Sequence, residues 1–260
     1  MDGLIVNLLF VGDAVGKNGT DFLFYKLRKL KERYGADVIV VNGENSHERN
    51  GIDTESARAI FDAGADVITT GNHCFRQKGF EYLFTNTPSL LRPANFPRGN
   101  PGTGYCVIDA GGVTIAVINL LGTMYTGGYD NPFFTAEKIL GKLKTPNIFV
   151  DFHAEATAEK KTMGYCLRGR VTAVLGTHTH VQTADEQILS GHTAYITDVG
   201  MCGAEDSILG MDTENSVRKI KFLTPVSYEE SKNPAFLNAV LINFDETNGK
   251  ALSVTRIIER

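Results

Sequence analysis

The sequence has little cysteine, and its few cysteines form no pattern. Of 260 residues only four are cysteine, namely Cys74, Cys106, Cys166 and Cys202, and no CxxC pair occurs. A disulfide framework or a thiolate metal site needs paired or regularly spaced cysteines, so neither is expected. We predict that each cysteine is a packing residue and that the protein works in a reducing compartment, the cytoplasm.

The sequence also lacks an excess of basic residues. Lysine and arginine total 26 against 30 acidic residues, giving a net charge of -4 and a pI near 5.9. Proteins that bind long nucleic acid by releasing counterions usually carry a basic excess, so binding of that kind is not expected. The net charge does not exclude binding of a nucleotide-sized substrate, because bound metal can neutralise one or two phosphates locally.

Long apolar runs, repeats and low-complexity tracts are missing as well. No run approaches the roughly 20 apolar residues that cross a bilayer, so no membrane partner is expected. The apolar run Leu4 to Val11 leads into Gly12-Asp13 without a basic leader, which favours a strand over a signal peptide. Length and ordinary globular composition predict one domain over residues 1–260.

Short apolar runs alternate with helical patterns along the chain. A helix with Phe22, Leu23, Leu27 and Leu30 on one face follows the first run, and a second helix is expected from an Asp53 N-cap to Gly64. Further strands are expected at 38–41, 67–70, 148–152, 173–175, 195–197, 237–244 and 252–258, and a long loop at 92–104. Crossover units together with hairpin-like pairs predict an α/β sandwich of two sheets.

Polar residues of one chemical kind follow five of these runs. Their side chains offer oxygen or imidazole donors without any thiolate: Asp13, Glu44, Asn45, Asn72, His73, His153, His178 and His180. Loops at the carboxyl ends of strands converge on one edge of a sheet. The set therefore predicts a site for two hard or borderline metal ions.

Each of these motifs also has an ordinary interpretation. Asp13 could be a turn former or a helix N-cap, and Asn42-Gly43 is a strong turn signal ahead of Glu44. A lone histidine is usually a core or surface residue. His178 and His180 are two apart, so an extended segment would place both imidazoles on one face, whereas a helix would separate them by about 200°.

Taken in order, the motifs resemble one family. They are Gly12-Asp13, Asn42-Gly43-Glu44-Asn45, Gly71-Asn72-His73, Arg92 to Pro97, Asp151 to Thr157, Gly176 to Asp185 and Ile196 to Met201. They are similar to the YmdB-like branch of the calcineurin-like metallophosphoesterases, over nearly the whole chain. The resemblance implies an α/β fold with a four-layer α/β/β/α sandwich of mixed sheets.

The resemblance also implies an activity and a ligand set. It implies hydrolysis of small phosphodiesters, notably 2′,3′-cyclic nucleotides, at two metal ions. Iron is the expected metal, and manganese is the alternative. The ligands it implies are Asp13, Glu44 as the bridging ligand, Asn45, Asn72, His153, His178 and His180. We hypothesise attack by a water bridging the metals, with His73 donating a proton to the leaving group. A homo-oligomer is also implied.

Some positions depart from the family pattern or stay outside the site. Ser46 to Asn50 replaces a small, glycine-rich stretch, Thr123 stands where arginine is common, and Cys74-Phe75 replaces threonine and tryptophan. Asp151, Glu155 and Asp198 are candidates to hold the imidazoles, and the alternative for each is a surface carboxylate. His47 and His192 are expected to be surface or loop residues.

Two other functions stay open. One is a phosphomonoesterase, such as a nucleotidase, that uses the same metals with different pocket walls. The other is a regulatory metalloprotein whose catalysis is incidental. A metallopeptidase is disfavoured because the chain lacks a His-Glu-x-x-His motif.

Overall fold

Thirteen strands and six helices form the regular structure of the computed structural model, which describes residues 3–227 and 229–260. The strands are β1 Ile5–Val11, β2 Asp13–Ala14, β3 Val38–Asn42, β4 Val67–Thr69, β5 Tyr105–Ala110, β6 Val113–Leu121, β7 Ile148–His153, β8 Ala173–Thr177, β9 Gln187–Leu189, β10 Thr193–Ile196, β11 Met201–Ala204, β12 Ala235–Asp245 and β13 Lys250–Glu259. The helices are α1 Gly16–Tyr34, α2 Thr54–Ala63, α3 Phe80–Asn86, α4 Pro132–Leu140, α5 Thr157–Leu167 and α6 Thr213–Phe222.

The strands pair into two mixed sheets. The first has the order β2-β11-β12-β1-β3-β4, with β13 also paired to β12, and β1, β3 and β4 run parallel. The second has the order β5-β6-β7-β8-β10-β9, in which β6, β7, β8 and β10 run parallel and the edge strands β5 and β9 are antiparallel. The parallel strands of each sheet therefore end at a common edge.

Alternating side chains explain why the sheets lie in the middle of the molecule. In β1, Leu9 and Val11 pack with Leu23 and Leu27 of α1, while Leu8 and Phe10 point to the other face. That other face joins residues of the second sheet in a shared core between the sheets. A third core lies between the second sheet and the helices α4 and α5. Because strand side chains alternate between faces, each central strand contributes to two cores, and the layers follow the predicted α/β/β/α order.

The two predicted helices form as expected. Leu23, Leu27 and Leu30 of α1 are buried, and the Asp53 side chain caps α2 by accepting a hydrogen bond from the Ser56 backbone N–H at 2.9 Å. Gly64 ends α2 in the left-handed conformation, with φ 116°. Glycine adopts that conformation at little cost because it has no Cβ. The glycine in the sequence therefore predicted the end of this helix correctly.

The cysteine prediction is wrong at one position. Cys74 and Cys202 are fully buried in the core beneath α1 and α2, and Cys106 is half-buried. Cys166, however, lies exposed on α5, since the buried positions of that helix are taken by neighbours such as Met163 and Leu167. All four cysteines are free. Among the described helices, none combines the length and apolar character needed to cross a membrane.

Candidate metal centre

The carboxyl ends of the parallel strands of both sheets meet at one place. Asn42, the last residue of β3, donates from Nδ2 to Asp151 Oδ2 in β7 at 2.9 Å, and Thr69 of β4 donates to the same oxygen at 2.5 Å. These bonds join the two sheets at the edge where the predicted ligand motifs emerge. The five motifs are therefore brought together by the packing of the sheets and not by nearness in sequence.

Two fully buried carboxylates form the floor of this place. Asp13 is held in β2 through its backbone N–H, which donates to Gly200 O at 3.0 Å, and its Oδ2 accepts from the His178 backbone N–H at 3.1 Å. Glu44 follows β3, and its Oε2 accepts from the His73 backbone N–H at 3.1 Å. Asp13 does not cap α1, whose N-cap is Val15, so the helix-cap interpretation of Asp13 is wrong.

Three imidazoles surround Glu44. Its Oε1 lies 3.3 Å from His153 Nε2 and 3.0 Å from His73 Nδ1. His153 Nε2 lies 3.0 Å from His178 Nδ1. Glu44, His153 and His178 each offer a ligand atom, and these atoms lie within 4.8 Å of one another. This is the spacing of side chains that can share a metal ion.

The remaining predicted residues line the same place. Asn45 bridges two histidines, with Oδ1 at 2.9 Å from His73 Nδ1 and Nδ2 at 3.2 Å from His180 Nε2. His180 Nε2 also lies 3.8 Å from Asp13 Oδ1. Asn72 lies in the loop between Gly71 and His73, with Oδ1 shielded from solvent. All eight residues predicted from the sequence thus lie in the loops and strand ends at this edge.

The histidine segment is neither an extended strand nor a helix, the two conformations compared in the sequence analysis. β8 ends at Thr177, and both histidines have positive φ, 109° at His178 and 63° at His180. Residues with a Cβ rarely adopt this conformation, and such residues cluster at functional sites. The two imidazoles nevertheless reach the same place, because the loop turns each of them inward.

Unpartnered buried oxygens show that the site fits metal ions. Among the described residues, the buried oxygens Asp13 Oδ1 and Asn72 Oδ1 accept no hydrogen bond, and Glu44 Oε1 is approached by the imidazole nitrogens of His73 and His153. A buried oxygen without a hydrogen-bond donor is costly unless something else satisfies it. Oxygen and imidazole donors suit iron, manganese and similar ions. The donor set therefore fits the two metal ions predicted from the sequence.

Gly71 leaves room for this cluster. A Cβ placed on Gly71 would collide with Glu44 Oε2 and with the His153 ring. The backbone before Asn72 therefore lies directly against two of the candidate ligands. The absence of a side chain at this position is a steric requirement of the cluster, since the Glu44 and His153 side chains are both fully buried and would have to leave their positions to admit the added atom.

Burial and neighbouring charge set the protonation of these groups in the absence of metal. Burial would raise the pKa of Glu44, but the imidazoles of His153 and His73 outweigh it and hold that pKa well below its usual range. Burial opposes protonation of His153, yet Glu44 and Asp13 raise its pKa to about 9. Burial and the neighbouring His153 lower the pKa of His178 to about 3. Burial raises the pKa of Asp13. The free cluster thus carries one protonated and one neutral imidazole side by side.

The three carboxylates proposed to hold the imidazoles contact the cluster differently. Asp151 Oδ1 accepts from Thr177 Oγ1 at 2.7 Å, and that hydroxyl lies 2.9 Å from His153 Nδ1. Burial raises the pKa of Asp151 to about 6. Glu155 is half exposed and pairs directly with His178 Nε2 at 3.0 Å. Asp198 accepts from the Thr179 backbone N–H at 3.0 Å. None of the three is an isolated surface carboxylate.

The remaining residues fall into three groups: supporting residues that were not predicted, one residue that departs from the family pattern, and two histidines expected to lie outside the site. Asn42 and Thr177 lie in the sequence motifs, but their supporting roles were not predicted, because both depend on contacts with the distant Asp151. Thr123 is tied to the buried Glu159, with its N–H 2.8 Å from Oε1. His47 lies 3.8 Å from Asp53 at the start of α2 and is half-buried in a loop, as predicted. His192 is likewise a half-buried loop residue.

Comparison with known proteins identifies the family. A family model described as YmdB-like protein matches residues 9–257. A relative from Bacillus subtilis (strain 168), named 2′,3′-cyclic-nucleotide 2′-phosphodiesterase, is 42% identical over 255 residues, or 97% of each chain. A solved structure of a phosphatase from Mycoplasma pneumoniae matches with a TM-score of 0.92 and 35% identity over 99% of this chain and 95% of that chain.

A more distant structure confirms the fold alone. The NAD nucleotidase of Haemophilus influenzae matches with a TM-score of 0.59 at 16% identity, over 98% of this chain and 56% of that chain. The predicted metallophosphoesterase-type fold of two mixed sheets between helices is confirmed by these neighbours and by the layers described above. With nearly the whole chain matched to one family model and to relatives above 30% identity, the chain belongs to the YmdB-like protein family.

Proposed function

We propose that this protein is a metal-dependent phosphodiesterase that hydrolyses small phosphodiesters, with 2′,3′-cyclic nucleotides as its substrate class. The observation that supports this best is the grouping of two buried carboxylates with imidazoles: Glu44 Oε1 lies within 3.3 Å of His73 and His153, and the buried Asp13 Oδ1 accepts no hydrogen bond from a described residue. The names of the relatives support phosphoesterase activity, and that of the Bacillus subtilis relative supports the cyclic nucleotide.

The residues divide into a set that holds metal and a set that serves the substrate. The proposed ligands, which would hold the metal ions, are Asp13, Glu44, Asn45, Asn72, His153, His178 and His180. Two iron ions, or manganese in their place, would activate water and neutralise phosphoryl oxygens there. The protein's own part is to orient the ligands.

His73 is proposed as the proton donor. Its Nδ1 lies 2.9 Å from Asn45 Oδ1 and 3.0 Å from Glu44 Oε1, so two oxygens fix the ring and favour a proton on Nδ1. The side chain is 18% exposed, while Glu44 is fully buried, so His73 borders the solvent side of the cluster. In the protonated ring, Nε2–H is then the group that meets the leaving oxygen.

The reaction balances with one water. For a 2′,3′-cyclic substrate, the oxygen of water bonds to phosphorus, the bond from phosphorus to O2′ breaks, and O2′ takes a proton from His73. The product is the 3′-nucleotide, and the water proton restores His73. Negative charge builds on the leaving oxygen as the bond breaks, which is why a donor placed there accelerates the step.

The test compares three substrates on one metal-loaded preparation. Protein purified without oxygen, with its metal content measured, is assayed on 2′,3′-cyclic AMP, 3′,5′-cyclic AMP and 3′-AMP. We expect fastest turnover of 2′,3′-cyclic AMP, with 3′-AMP as the product. Turnover of 3′-AMP exceeding that of both diesters would favour the phosphomonoesterase instead, a function that the name of the Mycoplasma pneumoniae structure, a phosphatase, also suggests.

The regulatory alternative is separated by a cell-level comparison. If Asn72→Ala abolished activity without changing any cellular property that loss of the whole protein changes, catalysis would be incidental. The four free cysteines support the proposed cytoplasmic location. The predicted homo-oligomer and the predicted lack of long nucleic acid binding stay predictions.

A further inference from the structure

A buried ion pair lies behind the histidine loop, defined as residues 178–180. Lys160 of α5 and Asp198 are each about 1% exposed in their side chains, and Lys160 Nζ lies 2.6 Å from Asp198 Oδ2. Burying two charges is costly unless they are paired and hydrogen-bonded. The buried pair of Lys160 and Asp198 therefore does not by itself imply a gain in stability, and its role must be sought in the contacts that it makes.

Asp198 ties the histidine loop to the strand that carries Asp13. Its Oδ2 accepts from the Thr179 backbone N–H at 3.0 Å, and its Oδ1 accepts from the Gly200 backbone N–H at 2.9 Å. The carbonyl of Gly200 in turn accepts from the Asp13 backbone N–H at 3.0 Å. One carboxylate thus sets the position of candidate ligands on both sides of the cluster.

The loop needs such a support because its backbone is unfavourable. Thr179 lies between His178 and His180, which both have positive φ. Conformations of this kind persist only where the surroundings fix them. Two side chains do so here: Asp13 accepts from the N–H of His178, and Asp198 accepts from the next N–H along.

We propose that Asp198, held by the buried Lys160, is a positioning residue that fixes the histidine loop for metal binding. Lys160 keeps the Asp198 carboxylate directed to the Thr179 N–H and not to the cations that the neighbouring Asp13 would ligate. This proposal rests on the metal centre of the proposed function. It goes beyond that function because neither residue belongs to the proposed ligand set or to the proposed proton donor.

The test compares two double variants that both remove the two charges. Lys160→Met/Asp198→Asn retains a side-chain oxygen that can accept from Thr179, whereas Lys160→Met/Asp198→Ala does not. Binding of Mn²⁺ alone to the metal-free proteins is measured by calorimetry, without substrate, and thermal unfolding is measured in parallel. We expect the alanine variant to bind Mn²⁺ about 10- to 100-fold more weakly than the asparagine variant, as found when supports of metal ligands are removed.

The matched comparison separates positioning from mere stability. Equal Mn²⁺ affinity in the two double variants would overturn the proposal, even if the alanine variant were less stable. A wild-type protein that binds no Mn²⁺ would overturn the metal centre itself, and with it the proposed function. Weaker binding by the alanine variant alongside wild-type binding would support the positioning role even if no phosphodiesterase activity were detected.

A second measurement does not depend on the variants folding. In the metal-free wild-type protein, the backbone amide of Thr179 should exchange with solvent at least tenfold more slowly than that of Val181, which directly follows the histidine loop and is 60% exposed. Slow exchange is expected because Asp198 holds the Thr179 amide before any metal binds. Exchange of Thr179 as fast as that of Val181 would overturn the proposal.

Discussion

At the scale of single residues, Glu44 is a fully buried carboxylate in contact with two histidines. Its two oxygens lie against two imidazole rings and one backbone N–H, and the residue is fully buried. A carboxylate in that position needs compensating positive charge. In the free protein the protonated His153 supplies it, and in the loaded protein metal ions would do so.

Replacing His73 should separate catalysis from metal binding. His73→Asn retains a polar side chain but cannot donate the proton, so turnover of 2′,3′-cyclic AMP should fall about 10²- to 10⁴-fold, the usual contribution of a general acid. Metal content, measured by elemental analysis, should change little. His47→Asn, in a neighbouring loop outside the cluster, is the matched control and should leave turnover unchanged. Loss of both metals from His73→Asn would show that His73 is a ligand.

The raised pKa of His153 predicts how metal binding depends on pH. The pKa is about 9 in the folded metal-free protein against an ordinary value of 6.5. The bound proton therefore stabilises the metal-free fold fully below pH 6.5, and this stabilisation is lost as the pH rises through 9.

Metal ions must displace that proton, so their affinity should rise by up to about tenfold per pH unit between pH 6.5 and 9. Calorimetry of Mn²⁺ binding in buffers of different ionisation enthalpy would count the protons released. Affinity that stays constant from pH 7 to pH 9 would contradict this assignment of the proton to His153.

At the scale of elements, the site depends on close approach of strand ends. The loop after β4 lies against Glu44 and His153 at Gly71, where even one added carbon would collide. Gly71→Ala should therefore displace the loop or the Glu44 and His153 side chains. Mn²⁺ binding should weaken by at least tenfold, because the candidate ligands are then no longer held in their positions around the ion. Gly141→Ala is the control, since its nearest neighbour lies 3.6 Å from the added Cβ and its φ is -63°. Equal Mn²⁺ affinity of the two variants in calorimetry would show that the cluster tolerates a shift at Gly71.

The strands were predictable from the sequence, whereas the conformation of the histidine loop and the burial of Lys160 were not. The strands and the polar residues at their ends were predictable because hydrophobic periodicity and turn residues act locally. The conformation of the histidine loop was not predictable, since Asp13 and Asp198, which fix its backbone, are distant in sequence. The burial of Lys160 was hidden for the same reason, because a lysine on α5 is ordinarily a surface residue.

At the scale of the whole molecule, pairing joins the two ends of the chain. β1 pairs with β12 over seven residues, from Ile5 with Asp245 to Val11 with Ala239. The shared core between the sheets then includes strands from every part of the chain. We propose on this basis that residues 1–260 fold as one cooperative domain, and one thermal unfolding transition is expected.

Removing metal should lower the temperature of that transition. The buried Asp13 Oδ1, which accepts no hydrogen bond from a described residue, favours the loaded fold, while the unfolded chain has no preformed site. Mn²⁺ at 100 times its dissociation constant should stabilise the protein by about 2.7 kcal/mol, which raises Tm by roughly 5–10 °C in a domain of this size. Scanning calorimetry with Mn²⁺ and with a chelator measures the shift. Glu44→Gln should abolish it, because this proposed ligand loses its charge, whereas Glu186→Gln, whose carboxylate pairs with Arg256 away from the cluster, should retain it. An identical shift in both variants would mean that Mn²⁺ binds elsewhere on the protein.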